Sequence, residues 1–177
     1  MHDSNDGMRS DMQELNPEHL KSVIEIINEG PFFRHMSMTV TELGVGYSKV
    51  VAEISKKHMN PFGALHGGVY SAVIDTAAYW SAYCDLPEEH GLVSIDLKVD
   101  LLAPVFEQIV IAKGKRVKAG KTIYLTEAQM FNEVGKLVAH GTSKLMTINN
   151  KQTISDVVDY VSAQRLPAKF IRERYTT

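Results

Sequence analysis

The hydrophobic rhythm of the chain changes several times, and each change marks an element. Leu20, Val23, Ile24 and Ile27 recur at helical spacing. They follow Asn16-Pro17-Glu18, which offers a capping side chain, a proline at the first helical position and a carboxylate near the positive end of the dipole. A short amphipathic helix is predicted, with Gly30-Pro31 as its stop. From Met36 the texture is that of strands: MSMTVTEL, turn chemistry at Gly44-Val45-Gly46, then YSKVVAEIS, which together read as a hairpin. Loop punctuation at Asn60-Pro61-Phe62-Gly63 precedes GGVYSAVIDTAAYWSAYC, whose length and alanine content suit a helix. Its apolar residues lie all around the helical wheel, so this helix should be buried.

Four more stretches have strand character, 92–103, 106–118, 121–131 and 136–148. Turn signals at Ala119-Gly120 and Asn132-Glu133-Val134-Gly135 separate the later ones, short enough for antiparallel neighbours. The first alternates, with Val93, Ile95, Leu97, Val99 and Leu101 on one face and Ser94, Asp96, Lys98 and Asp100 on the other. Near the end, Ile154, Val157, Val158 and Val161 return to helical spacing, followed by a basic tail. The order predicts an α+β domain in which an antiparallel sheet wraps the buried helix. At 177 residues the chain is one domain's worth. We divide it into a flexible leader, 1–15, a single domain, 16–150, and a C-terminal helical extension, 151–177.

Charge narrows the partners. With 19 Lys plus Arg against 21 Asp plus Glu, the net charge is −2, so no global basic field attracts nucleic acid or an anionic membrane, and neither is expected as a partner. Cys84 is the sole cysteine, which removes intrachain disulfides and thiolate zinc sites and suits a reducing compartment. The polar, acid-bearing first fifteen residues lack the apolar core of a secretory signal, so a cytoplasmic location is expected. His58, His66, His90 and His140 lack metal-ligand spacing, and no metal is expected.

Candidate chemistry concentrates in the buried helix. Between Met59 and Cys84 the only ionisable Asp, Glu, Lys or Arg is Asp75, set among Ala72, Val73, Ile74, Ala77 and Ala78. A carboxylate in such a place is costly unless it is hydrogen-bonded or kept for a purpose. It either faces a wet edge or a strand amide, or serves as a base or nucleophile whose desolvation raises its pKa. His66-Gly67-Gly68 opens the same helix, where glycines admit a ligand to unpaired N–H groups and an oxyanion could be held; the plainer reading is a flexible entry turn. Gly67 and Asp75 are eight positions apart, about 12 Å along a helix at ~1.5 Å per residue. A base and an oxyanion donor must each come within about 3 Å of one carbonyl or its attacking water. One copy of the helix cannot easily supply both, so the catalytic reading predicts an obligate dimer with two-fold symmetric sites.

The run Asn60-Pro61-Phe62-Gly63-Ala64-Leu65-His66-Gly67-Gly68-Val69, with Asp75 nine places after His66, resembles the signature of hotdog-fold acyl-CoA thioesterases of the phenylacetate-pathway (PaaI) type. The likeness extends through Ser94-Ile95-Asp96-Leu97, Leu102-Ala103-Pro104-Val105, Gly120-Lys121-Thr122 and Gly135-Lys136-Leu137-Val138-Ala139-His140-Gly141, about residues 35 to 148. It implies a hotdog fold, a long helix wrapped by an antiparallel sheet and paired into homodimers or homotetramers, and hydrolysis of an acyl-CoA without a cofactor. Asp75 would activate water or form a mixed anhydride. The Gly67 N–H would hold the thioester oxygen, with His66 and Gly68 shaping the turn. Asn60 would orient water or substrate, and Ser94 would support the carboxylate. In the family, the Asn60 and Gly67 equivalents come from one subunit and those of Asp75 and Ser94 from the other. The alternation sets Ser94 opposite Val93 and Ile95, so its reach to Asp75 requires a local bend or a subunit crossing. Lys118, Gly120 and Lys121, with Lys115 and Arg116 nearby, are candidates for the CoA phosphates, although basic residues at a turn are usually a solvated edge. Tyr70, Tyr79, Trp80 and Tyr83 are candidates for an acyl pocket, the core or a dimer interface. Two other readings are a hotdog module that binds acyl-CoA without cleaving it and a hydroxyacyl-thioester dehydratase.

Overall fold

A row of small residues explains how a helix comes to lie inside a curved sheet. Gly114 pairs with Ala128, and Ala128 with Gly141, on three adjacent strands. A Cβ on Gly114 would stand 1.9 Å from the Ala77 carbonyl oxygen, and one on Gly141 2.5 Å from an Ile74 methyl. At Gly114 the helix backbone therefore rests directly on the sheet, and at Gly141 the Ile74 side chain does, positions where glycine leaves the room. Ser48, beside Gly114 on the next strand, donates its hydroxyl to that same Ala77 carbonyl at 2.6 Å.

The computed structural model describes residues 13–106 and 108–172. Strands β2 (Met38–Gly44), β3 (Tyr47–Glu53), β4 (His90–Leu101), β5 (Ile109–Ala119), β6 (Ile123–Asn132) and β7 (Leu137–Asn149) form one antiparallel sheet in the order β2-β3-β5-β6-β7-β4. Helix α3 (Gly67–Trp80) is wrapped by it, with Val73, Ile74, Ala77 and Ala78 fully buried. Helix α1 (Pro17–Asn28) is capped by Asn16, whose side chain accepts the Glu18 N–H at 3.1 Å, and buries Val23, Ile26 and Ile27. The fold is the α+β hotdog.

Several local expectations change. Gly30-Pro31 ends α1, yet Pro31 also opens a second helix, α2 (Pro31–His35), because the N–H that proline lacks has no acceptor at a helix start. The central helix stops at Trp80, and Tyr83–Asp85 form a separate 3-10 turn. Gln13–Leu15, read as part of a loose leader, are strand β1, paired with β8 (Phe170–Arg172); the leader's first twelve residues lie outside the described residues. In the C-terminal extension only α4 (Ile154–Tyr160) is helical, and the rest of its described part is extended or turn.

That segment is anchored by a buried polar network. The Lys169 side chain is buried, and its Nζ donates to the carbonyls of Tyr83 and Leu86, both at 2.6 Å, while lying 4.0 Å from the centre of the Tyr83 ring. It ties the C-terminal segment to the 3-10 turn, where the Tyr83 carbonyl also accepts the Leu86 N–H at 3.2 Å. The buried His19 ring bonds at Nδ1 to the Pro167 carbonyl and at Nε2 to the Tyr83 hydroxyl, both at 2.6 Å. A carbonyl only accepts, so Nδ1 carries the proton and Tyr83 donates to Nε2.

Candidate active site

Asp75 lies midway along α3, facing β4, where the Ser94 hydroxyl donates to its Oδ1 at 3.3 Å. A bulge makes this contact. Ser94 pairs with Leu145 and Asp96 with the adjacent Lys144, so Ile95 is an extra residue and the alternation shifts by one. Before the bulge Leu92 and Ser94 face inward; after it Leu97 borders the Asp75 groove, Val99 approaches Ile74 and Gly141, and Leu101 approaches Gly67. The uninterrupted face of Val93, Ile95, Leu97, Val99 and Leu101 is thus corrected, and Ser94 reaches Asp75 within one chain by the local bend.

Burial holds the Asp75 pKa above the ordinary carboxylate value, and the Ser94 hydrogen bond opposes that rise. The carboxylate opens onto a groove of about 490 Å³ with Ser71, Ala72 and Thr76 on the helix, Leu97 on β4 and Phe32 and Phe33 on α2. The two phenylalanines were not singled out from the sequence. Their signal is the proline after Gly30, which starts a helix as readily as it ends one.

At the start of α3 the backbone donors are distributed unevenly. His66 is the N-cap, and its Nδ1 accepts the Gly68 N–H at 2.9 Å; the Val69 N–H goes to the His66 carbonyl at 2.9 Å. The Gly67 N–H has no acceptor among the described residues. Asn60 is held in the preceding turn: its Oδ1 accepts the Phe62 and Ala64 N–H groups at 2.9 and 3.2 Å, and its own N–H donates to the Ala64 carbonyl at 2.7 Å. With Oδ1 so engaged, the side-chain amide is what Asn60 can offer a ligand. The loop returns directly to the helix start, since the His66 N–H donates to the His58 carbonyl at 2.9 Å.

Asn60, His66, Gly67 and Gly68 are therefore gathered at one end of α3, and Asp75 with Ser94 at another level, eight residues or about 12 Å further along. Lys118, Gly120 and Lys121 form a third group at the β5–β6 hairpin. Gly120 is required there, because a Cβ would come within 2.5 Å of the Ile123 carbonyl oxygen. Ile123 pairs with Met146, and Met146 with Val93, so the hairpin sits level with Ser94, two strands and about 10 Å across the sheet. Both lysines are exposed. Among the described residues no cluster of three or more His, Cys, Asp or Glu could hold a metal ion. No helix among them is long and apolar enough to cross a membrane.

The model of the thioesterase superfamily matches residues 62–139, from the turn before α3 into β7. Over those residues the chain is similar to the thioesterase superfamily. Acyl-coenzyme A thioesterase 13 of Homo sapiens is 29% identical over 129 residues, covering 70% of this chain and 91% of that protein. The protein of the same name from Mus musculus is 28% identical over the same shares. Among solved structures, a thioesterase from Haemophilus influenzae superposes with a TM-score of 0.69 at 23% identity, over 75% of this chain and 92% of the other. A mutant of the phenylacetic acid degradation protein PaaI from Thermus thermophilus does so with a TM-score of 0.61 at 24% identity, over 66% and 98%. These likenesses bear out the hotdog architecture, and the superfamily match supports thioester hydrolysis as the general chemistry.

Proposed function

We propose that the protein hydrolyses an acyl-CoA to CoA and a free carboxylic acid, at sites completed by a second copy of the chain. The observation that carries this reading is the pairing of a half-buried, hydroxyl-supported carboxylate at Asp75 with an unengaged N–H at Gly67. In each site Gly67 and Asn60 of one protomer face Asp75 and Ser94 of its partner. The Gly67 N–H, at the positive end of α3, holds the thioester oxygen as it gains charge. The Asn60 amide orients the substrate or the attacking water. Water adds to the carbonyl carbon as Asp75 takes its proton; the C–S bond then breaks, and the thiolate leaves with that proton. Alternatively the carboxylate itself attacks, and water opens the resulting anhydride. In a single turnover in H₂¹⁸O, label in the Asp75 carboxylate identifies the anhydride route, opened by water at the Asp75 carbonyl carbon.

The partner's place is supported by β4, which is the edge of the sheet and exposes Ile95, Leu97 and Leu101 beside Leu102. An apolar edge strand is a template for pairing with another chain. Lys118 and Lys121, beside Gly120, are the cations within reach of the nucleotide phosphates. The reaction is a hydrolysis and calls on no redox cofactor. The lone buried Cys84 needs no oxidising compartment, in keeping with the cytoplasm.

The test is thiol release from a panel of acyl-CoA thioesters by wild type and Asp75→Asn. Turnover that falls by orders of magnitude in the variant supports the proposal. Absence of turnover on every thioester, with acyl-CoA bound equally by both proteins, replaces it with the binding-module reading.

A further inference from the structure

A second cavity begins one helical turn beyond Asp75, and its roof is built by the part of the chain that follows the superfamily match. Its volume is about 310 Å³. Tyr79, Trp80 and Leu86 from the end of α3 and the turns after it form one side, and Leu92 of β4 the other. The roof is α4, through Ile154, Val157 and Tyr160. Residues 154 to 160 lie outside the matched span of 62–139.

Two observations connect this space to the Asp75 groove, and a third describes its lining. Tyr79 and Trp80 line both. Tyr79 stands four residues after Asp75 on the same helix face, and its hydroxyl donates to the Leu92 carbonyl at 3.2 Å, so helix and strand continue side by side from one space to the next. The roof's one carboxylate, Asp156, is already engaged: it accepts from the Thr153 N–H at 2.7 Å and the Thr153 hydroxyl at 3.1 Å as the capping box of α4. Beside the polar His90, Gln152 and Thr153, the lining on offer is mainly aromatic and aliphatic.

We propose that the acyl group of the substrate runs from the Asp75 groove along Tyr79 and Trp80 into the cavity under α4, which makes α4 the ruler for acyl length. The inference rests on the thioesterase reading above and extends it to a substrate class. A cavity of about 150 Å³ holds a benzene ring, so twice that volume takes a medium-length aliphatic chain or an arylalkanoyl group, whereas an acetyl group would leave it vacant. Each methylene transferred into such a site strengthens binding about fourfold.

The experiment compares kcat/KM for straight-chain thioesters from acetyl-CoA to hexadecanoyl-CoA, and for phenylacetyl- and phenylbutanoyl-CoA, with wild type, Val157→Phe and Tyr160→Ala. In wild type, kcat/KM climbs with chain length and then levels off once the cavity is full. Val157→Phe, which narrows the cavity, lowers the octanoyl-to-butanoyl ratio at least tenfold. Tyr160→Ala, at a side chain 74% exposed and so tolerant of change, moves the levelling-off to longer chains. The aryl substrates show whether a ring or a straight chain is the better occupant.

Trp80 is the only tryptophan and gives a readout independent of turnover. Its fluorescence should respond to octanoate in both wild type and Asp75→Asn, and more weakly in Val157→Phe. A response to octanoate without hydrolysis of any thioester would overturn the catalytic reading and keep the acyl cavity. Hydrolysis with the same length profile in all three proteins, or a fluorescence response unaffected by Val157→Phe, would overturn the cavity proposal and keep the catalytic reading.

Discussion

Ser94 reaches Asp75 because β4 carries one residue too many at Ile95. The hydroxyl steadies a carboxylate that burial would otherwise leave poorly solvated, and it pulls the pKa down against that burial. Asp75 must be ionised to act, so activity should rise with pH through a pKa above the ordinary carboxylate range. Ser94→Ala removes the lowering influence and should move this acid limb to higher pH, with a loss of about tenfold or less at neutral pH. Asp75→Asn should cost roughly 10²- to 10⁴-fold in kcat. Profiles of kcat/KM against pH for the three proteins check both statements.

Separation along α3 gives a sharper test of who supplies what. If each site takes Asp75 from one protomer and Asn60 with Gly67 from its partner, a mixed dimer of Asp75→Asn and Asn60→Ala chains has one doubly damaged site and one intact site. Half the dimers in an equal mixture are mixed, so co-refolding two inactive variants should restore about a quarter of wild-type activity. Sites contained within single chains would restore none.

Gly114→Ala probes the packing that positions the helix. The added methyl would meet the Ala77 carbonyl, which is backbone and cannot swing aside. A loss of about 3 kcal/mol in urea unfolding is expected, with an unchanged m-value if the denatured state is unaffected.

The element order, the buried helix and the grouping of Asn60, His66, Gly67 and Gly68 were legible because they rest on local signals: periodicity, glycine placement and capping chemistry. The bulge at Ile95 was not, since strict alternation of side chains is what a regular strand shows and an extra residue leaves no mark in composition. Helix α2 was hidden by a proline with two meanings. Lys169 read as one more cation in a basic tail. Its burial depends on carbonyls of Tyr83 and Leu86 more than eighty residues earlier, a contact no local pattern announces.

Burial lowers the Lys169 pKa from 10.5 to about 8. Between those values the unfolded chain holds the proton and the folded chain has released it, so this group makes stability rise with pH across that window. Cys84, pushed up to about 11 by burial, works in the opposite direction above pH 9. The difference in Tm between wild type and Lys169→Met isolates the lysine: relative to the variant, wild type should gain stability from pH 7.5 to pH 9.5.

Residues 13 to 15 and 170 to 172 hydrogen-bond to one another as β1 and β8, so the described chain closes on itself like a buckled belt, with α4 between β7 and β8 along the chain and packed against α1. The first strand thereby tethers the segment that follows a helix about 140 residues later in the chain. Deleting residues up to Leu15 should slacken α4 and broaden the range of acyl groups accepted, although nothing near Asp75 has been touched.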